Sequence, residues 1–128
     1  MLQADIIEEF KRVGIARSYR ADETIFLHQE PSTGMYLILH GDAKIVRRTP
    51  TGATEEITSI GPGETMGEVS LLLNKPHSAT VIAKTDVELL LLTRSTLENL
   101  KRNNPPAALR LFEILAFTLA RHLYERPW

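Results

Sequence analysis

The sequence predicts a mainly β domain of seven or eight short strands with helices at both ends, a sandwich or a barrel in outline. Three observations carry this expectation. Segments rich in β-branched and aromatic residues recur about every ten residues between positions 18 and 92, with turn-forming residues between them. Both flanks instead show the three-to-four-residue apolar spacing of helices. The bulk properties suit one folded unit: 128 residues, 43% apolar and 24% charged, within the roughly 100–200 residues of a typical domain.

Taken in order, Leu2, Ile6, Phe10 and Val13 fall at helical spacing with charges between them, which predicts an amphipathic helix over Ala4 to Arg12 ending at Gly14. Thr24 to His28 and Met35 to His40 read as strands separated by Pro31, Ser32, Thr33 and Gly34. Asp42 to Arg48 alternates, and Thr54 to Ile60 alternates again after Thr49-Pro50-Thr51-Gly52, so these two form the clearest hairpin. Gly61-Pro62-Gly63 forces a turn. Ser78 to Ala83 and Val87 to Leu92 are two further strands joined through Lys84-Thr85-Asp86. Beyond Leu92 the texture is helical: Ser95 and Glu98 have the spacing of a capping box ahead of Leu97 and Leu100. Asn103-Asn104-Pro105-Pro106 ends that helix and starts the last one, from Pro106 to about Tyr124.

The last helix is apolar on two sides. Leu109, Phe112, Leu115 or Ala116, Leu119 and Leu123 form one stripe, expected to face the core; Leu111, Ile114, Phe117 and Ala120 form a second. Two such faces need two partners, either simple burial against the strands or pairing with a second copy. A homodimer through this helix is the expectation.

Fifteen Lys and Arg against sixteen Asp and Glu leave a net charge of −1. The chain therefore carries no basic footprint for DNA or RNA, no DNA-reading domain is expected within it, and any effector is expected to be a separate domain or protein. With no cysteine, disulfides, thiolate catalysis and Cys-based zinc sites are excluded. Asp5, Glu8 and Glu9 interrupt the start, so no signal peptide is read. The longest apolar runs, Leu71 to Leu73 and Leu89 to Leu92, fall far short of the ~20 residues that cross a bilayer. A cytoplasmic protein without membrane contact is expected. A metal site would need His28, His40 and His122 to converge from separate elements, and Ser70, His77 and Asp86 or Glu88 lack the elbow motif of a catalytic triad. Neither a metal centre nor an enzyme is expected.

The stretch that carries chemistry is Gly61 to Val81, GPGETMGEVSLLLNKPHSATV. Gly67 and Glu68 precede Val69 to Leu73, enough for one helical turn before Asn74 and Pro76 end it. The first N–H groups of such a turn are unpaired, and a glycine lets an anion come close to the main chain. A carboxylate there suits a sugar hydroxyl. Phosphate on the main chain with ribose on Glu68 describes a nucleotide; the plainer alternative is that Glu68 caps its own turn.

With these pieces in place, the chain resembles cyclic nucleotide-binding domains, from the helix at Ile6 to the helix ending near Tyr124. The resemblance rests on Ile25-Phe26, Met35-Tyr36-Leu37-Ile38 ahead of Gly41, Pro62-Gly63-Glu64 leading to Gly67-Glu68, Ser70-Leu71-Leu72, and Pro76 with Ser78-Ala79-Thr80-Val81. It implies a double-stranded β-helix, a jelly-roll-like β-roll of about eight strands, flanked by an N-terminal helix and two C-terminal helices. One domain would fill residues 1–128, with the roll at about 18–92 and the C-terminal helices at about 95–124. It further implies a regulatory module that binds cAMP or cGMP, uses no cofactor and reads the ligand out through its C-terminal helices. By the same resemblance Gly67 and Val69 offer backbone N–H groups, Glu68 takes the ribose 2′-hydroxyl, and His77, Ser78 and Ala79 lie at the cyclic phosphate.

Two residues depart from the pattern. His77 stands where the family carries an arginine on the phosphate. Guanidinium is permanently charged and forked, whereas neutral imidazole offers one donor; the lost charge-assisted bond would weaken affinity by about one to two orders of magnitude. Lys75 is not expected to compensate. The rival reading makes His77 a surface residue of a dead site, leaving a structural or dimerisation module; a third makes the chain the sensor fragment of a larger transcription regulator, channel or transporter. Gln29 replaces a usual glycine and is strained if that turn needs a positive φ. Met66, where phenylalanine is common, fills the same apolar slot.

Overall fold

The computed structural model describes residues 4–125; Leu2 of the predicted helical stripe lies outside the described residues, as do the Ile6 and His122 side chains. Helix α1 (Ala4–Val13) opens the chain, and Gly14 closes it by donating its N–H to the Phe10 carbonyl at 2.7 Å. Strands β1 (Ile15–Tyr19), β2 (Thr24–Phe26), β3 (Gly34–His40), β4 (Ala43–Arg48), β5 (Thr54–Ile60) and β6 (Thr65–Met66) follow. Then come the short helix α2 (Glu68–Leu73), β7 (Thr80–Ala83), β8 (Val87–Thr93), and helices α3 (Arg94–Asn103) and α4 (Pro105–Glu125). The eight strands form two antiparallel sheets, β1-β8-β3-β6 and β2-β7-β4-β5, which together make the expected β-roll.

Alternation along the strands sets the layers. In β3, Tyr36 and Ile38 face the interior of the roll with Phe26, Val81, Leu89 and Leu91. Met35 and Leu37 face the opposite side, where Phe10, Leu90, Leu92, Leu97, Leu111 and Leu115 form a second core beneath the helices. A strand buried on both faces reads as a continuous apolar run rather than an alternating one, which is why Met35 to Leu39 and Leu89 to Leu92 carry no polar residue.

Two strands escaped the sequence reading. β1 lies at a sheet edge against β8, and four of its five residues are exposed, so it never shows the apolar alternation of a half-buried strand. β6 is two residues long and exists through its pairing with Tyr36 and Leu37.

Two helix details also change. The cap of α3 is Thr93, whose hydroxyl accepts from the Thr96 N–H at 3.1 Å, not Ser95 in a capping box with Glu98. Thr93 still pairs with Gly34, so β8 runs straight into the helix and the cap falls on its last residue. In α4 the core-facing residues are Ala108, Leu111, Ile114, Leu115 and Thr118, whereas Leu109 is 61% and Leu123 58% exposed. The buried face thus takes Leu111 and Ile114 from the predicted second stripe and Leu115 from the predicted core stripe; Leu109, Ala116 and Leu123 lie on the outer stripe with Phe112 and Leu119 half-buried along it, and Phe117 and Ala120 of the second stripe are exposed as well. Both faces are apolar, so periodicity alone did not fix the phase; the start at Asn104 does, with the Ala108 N–H on its carbonyl and the Ala107 N–H on its side chain.

Candidate functional site

The path into the site is set by glycines. Gly63 adopts φ +81, and the Gly61 N–H donates to Glu64 Oε1 at 2.9 Å, which turns the chain from β5 into β6. Gly67 caps α2 with φ +82 and no side-chain cap. A Cβ there would be strained by that φ and would lie 3.3 Å from the Gly34 carbonyl and 3.5 Å from His77 Cε1, so glycine brings the turn against β3 and the histidine. The first intrahelical bond of α2 runs from the Leu71 N–H to the Gly67 carbonyl, which leaves the N–H groups of Val69 and Ser70 ahead of it. Asn74, left-handed at φ 54, ends the helix.

His77 is clamped by its own main chain. Its N–H donates to the Glu30 carbonyl at 2.9 Å and its carbonyl accepts from the Gln29 N–H at 2.8 Å. Gln29 sits at φ +71, so the turn keeps its left-handed shape and a non-glycine residue bears the strain. The His77 ring stacks on Phe26 at 3.8 Å between centroids, with planes 16° apart. At 2% exposure it is no surface residue, which corrects that part of the rival reading. Nδ1 is buried without a hydrogen-bond partner. Burial holds the imidazole below its ordinary range, against a smaller upward pull from Glu30. The ring is therefore neutral near pH 7.

A pocket opens between these elements. Its floor is Phe26, Ile45, Ile60 and Val81, one wall is Gly67, Glu68, Val69 and Ser70, and the other is His77, Ser78 and Ala79. All six residues nominated from the sequence line it. Glu68 is 4% exposed and is the one charged side chain in the lining among the described residues. It does not cap α2: the cap position is Gly67, and Glu68 is the first helical residue, facing inward. Lys75 is exposed and outside the lining. Sequence reasoning missed Phe26 as the platform under His77 and Ser70 as a buried hydroxyl; the lone polar residue in Val69-Ser70-Leu71 was the available signal.

The stretch from Gly61 to Val81, the cassette of the site, is tied to the C-terminal helices. Arg94, at the start of α3, donates from Nη1 to the Leu71 carbonyl at 2.7 Å. Arg121 of α4 approaches Glu64 at 3.9 Å. Among the described residues no group of three or more His, Cys, Asp or Glu could hold a metal ion, and no helix is long and apolar enough to cross a membrane.

The β-roll sets a glycine-started turn and an inward glutamate against the His77, Ser78 and Ala79 wall, the arrangement of a binding pocket on a mainly β domain. Residues 16–104 match the cyclic nucleotide-binding domain, and the chain belongs to that family. It is 35% identical over 109 residues to the cyclic AMP receptor protein of Thermus thermophilus, covering 85% of this chain and 49% of that protein. It is 31% identical over 98 residues to a CRP-like cAMP-activated global transcriptional regulator of Mycobacterium tuberculosis, covering 77% and 44%. The chain thus spans about half the length of these curated relatives. A cyclic nucleotide-binding domain from Methylobacillus flagellatus superposes with a TM-score of 0.85 over 97% of this chain and 70% of that one, at 21% identity, a likeness of fold.

Proposed function

We propose that the chain is a non-enzymatic, cytoplasmic regulatory module that binds cAMP or cGMP at this pocket. The observation that supports the reading most is the convergence of Gly67, Glu68, Val69, His77, Ser78 and Ala79 on one cavity. The cyclic phosphate meets the N–H groups at the start of α2 and the Ser78 hydroxyl, and the ribose 2′-hydroxyl donates to Glu68. Phe26, Ile45 and Val81 provide the apolar remainder.

Readout runs through the cassette. A ligand drawn onto α2 pulls on Leu71, and Arg94 passes that displacement to α3 and α4. Such a switch requires the ligand to bind one helix arrangement better than the other. The outer stripe of α4 supports a homodimer as the receiving partner: Leu109, Ala116 and Leu123 repeat every seven residues with Phe112 and Leu119 between them, the spacing of a two-stranded coiled coil.

The neutral His77 favours a second reading, a domain of the same fold that dimerises without a ligand. Calorimetric titration with cAMP and cGMP, run beside sedimentation of the same sample, separates the two. The first reading expects saturable binding by a dimer, tightened about tenfold or more in His77→Arg as the charge-assisted contact returns. Absence of heat in both wild type and His77→Arg would leave the dimerisation module, and a monomer at high micromolar concentration would remove the homodimer.

A further inference from the structure

The site presents a phosphate with an unusual set of groups. No lysine or arginine lines it among the described residues, and its one formal charge is the negative Glu68. Opposite stands a histidine almost fully buried, stacked on Phe26, with Nδ1 unpartnered. A buried polar atom without a partner is costly and calls for an explanation, the more so on a side chain that lines a pocket. Resting on the reading above, we propose that His77 decides whether this site prefers an anionic cyclic nucleotide over the uncharged nucleoside, and that it does so by taking up one proton as the cyclic phosphate binds.

The groups around the ring define the direction of the effect. Phe26 of β2 contributes an apolar face at 3.8 Å, and Tyr36 of β3 lies at 6.4 Å with its phenol kept protonated by burial. Glu30, whose carbonyl accepts the His77 N–H, and Glu68 of α2, across the pocket, are the carboxylates on this side. Lys75, two residues away, is exposed to solvent. In the empty pocket desolvation outweighs Glu30 and the ring stays neutral. A phosphodiester keeps its negative charge throughout the physiological range, and its arrival in this desolvated wall adds the one missing term that favours imidazolium. The proton and the phosphate therefore bind cooperatively.

Ligand raises the affinity of His77 for its proton, so the cyclic nucleotide binds more tightly as pH falls from the value of the occupied site toward that of the empty one, by at most about tenfold per pH unit. Above that window the phosphate loses its charged donor, and the preference for cyclic nucleotide over nucleoside narrows to what the α2 N–H groups and Ser78 supply. Without ligand the sign for folding is opposite. His77 in the folded domain protonates below its ordinary 6.5, so the unfolded chain takes up the proton first and the empty domain loses stability as pH falls through about 6.5.

The test is titration calorimetry with cAMP, cGMP, adenosine and guanosine from pH 6 to pH 8, in two buffers of different ionisation enthalpy, with circular dichroism verifying the fold at each pH. The expected result is cyclic nucleotide binding about tenfold tighter at pH 6 than at pH 8, flat nucleoside affinities, and uptake of about half a proton per cyclic nucleotide on average over that range. His77→Arg holds the tight affinity to pH 8, and His77→Gln, which cannot titrate, flattens the profile. Cyclic nucleotide affinity independent of pH in the wild type, or a pH dependence that survives both substitutions, overturns the proton-linked role alone. Failure of all four compounds to bind wild type and His77→Arg at every pH overturns the site itself.

Discussion

The two sheets of the roll carry different loads. The β1-β8-β3-β6 sheet is covered on both faces along β3 and β8, by the roll interior on one side and by α1, α3 and α4 on the other. The β2-β7-β4-β5 sheet is covered on one face, and β5 exposes six of its seven residues at least in part. Yet the second, lighter sheet supplies the pocket floor from all four of its strands: Phe26, Val81, Ile45 and Ile60. The heavy sheet anchors the helices that would report binding. The site therefore sits on the part of the fold with least to lose from rearrangement, and is joined to the rigid part through α2 and Arg94.

Substitutions that weigh the two sheets against each other sharpen this contrast. Leu37 is fully buried beneath the helices, so Leu37→Ala costs about 2–5 kcal/mol in a denaturant titration. Gln29, on the loop after β2, holds a left-handed conformation; Gln29→Gly relieves that strain and stabilises by about 1 kcal/mol, read as a higher denaturant midpoint at unchanged slope. Ile57 on β5 is 52% exposed, and Ile57→Ser changes stability by less than about 0.5 kcal/mol in the same assay. An Ile57→Ser penalty comparable to that of Leu37→Ala would show that the lighter sheet is not light, and the contrast would fail.

The sequence disclosed the heavy features because they are repeated. Leu89 to Leu92 and Met35 to Leu39 announce strands, and the Gly67-Glu68 turn announces the cassette, since each is written in several adjacent residues. Features that depend on one partner elsewhere in the chain were not legible. β6 exists through its ladder with β3, the outer face of α4 is fixed by its start at Asn104, and the cap of α3 is set by the pairing of Thr93 with Gly34. The burial of His77 belongs to the same group. Nothing in Lys75-Pro76-His77-Ser78 distinguishes an exposed ring from one laid on Phe26, fifty-one positions earlier.

The two main-chain bonds that join His77 to the Gln29–Glu30 turn involve only backbone atoms. They hold the Cα of position 77 at the edge of the pocket whichever side chain is attached. That position is a socket rather than a bespoke part. On the role proposed for His77, exchanging its occupant by a single codon changes what the cavity offers a charge, among a permanent cation, a proton-dependent one and none, while the path of the chain stays as it is. A different response from this domain then needs no change of architecture, only a change of plug.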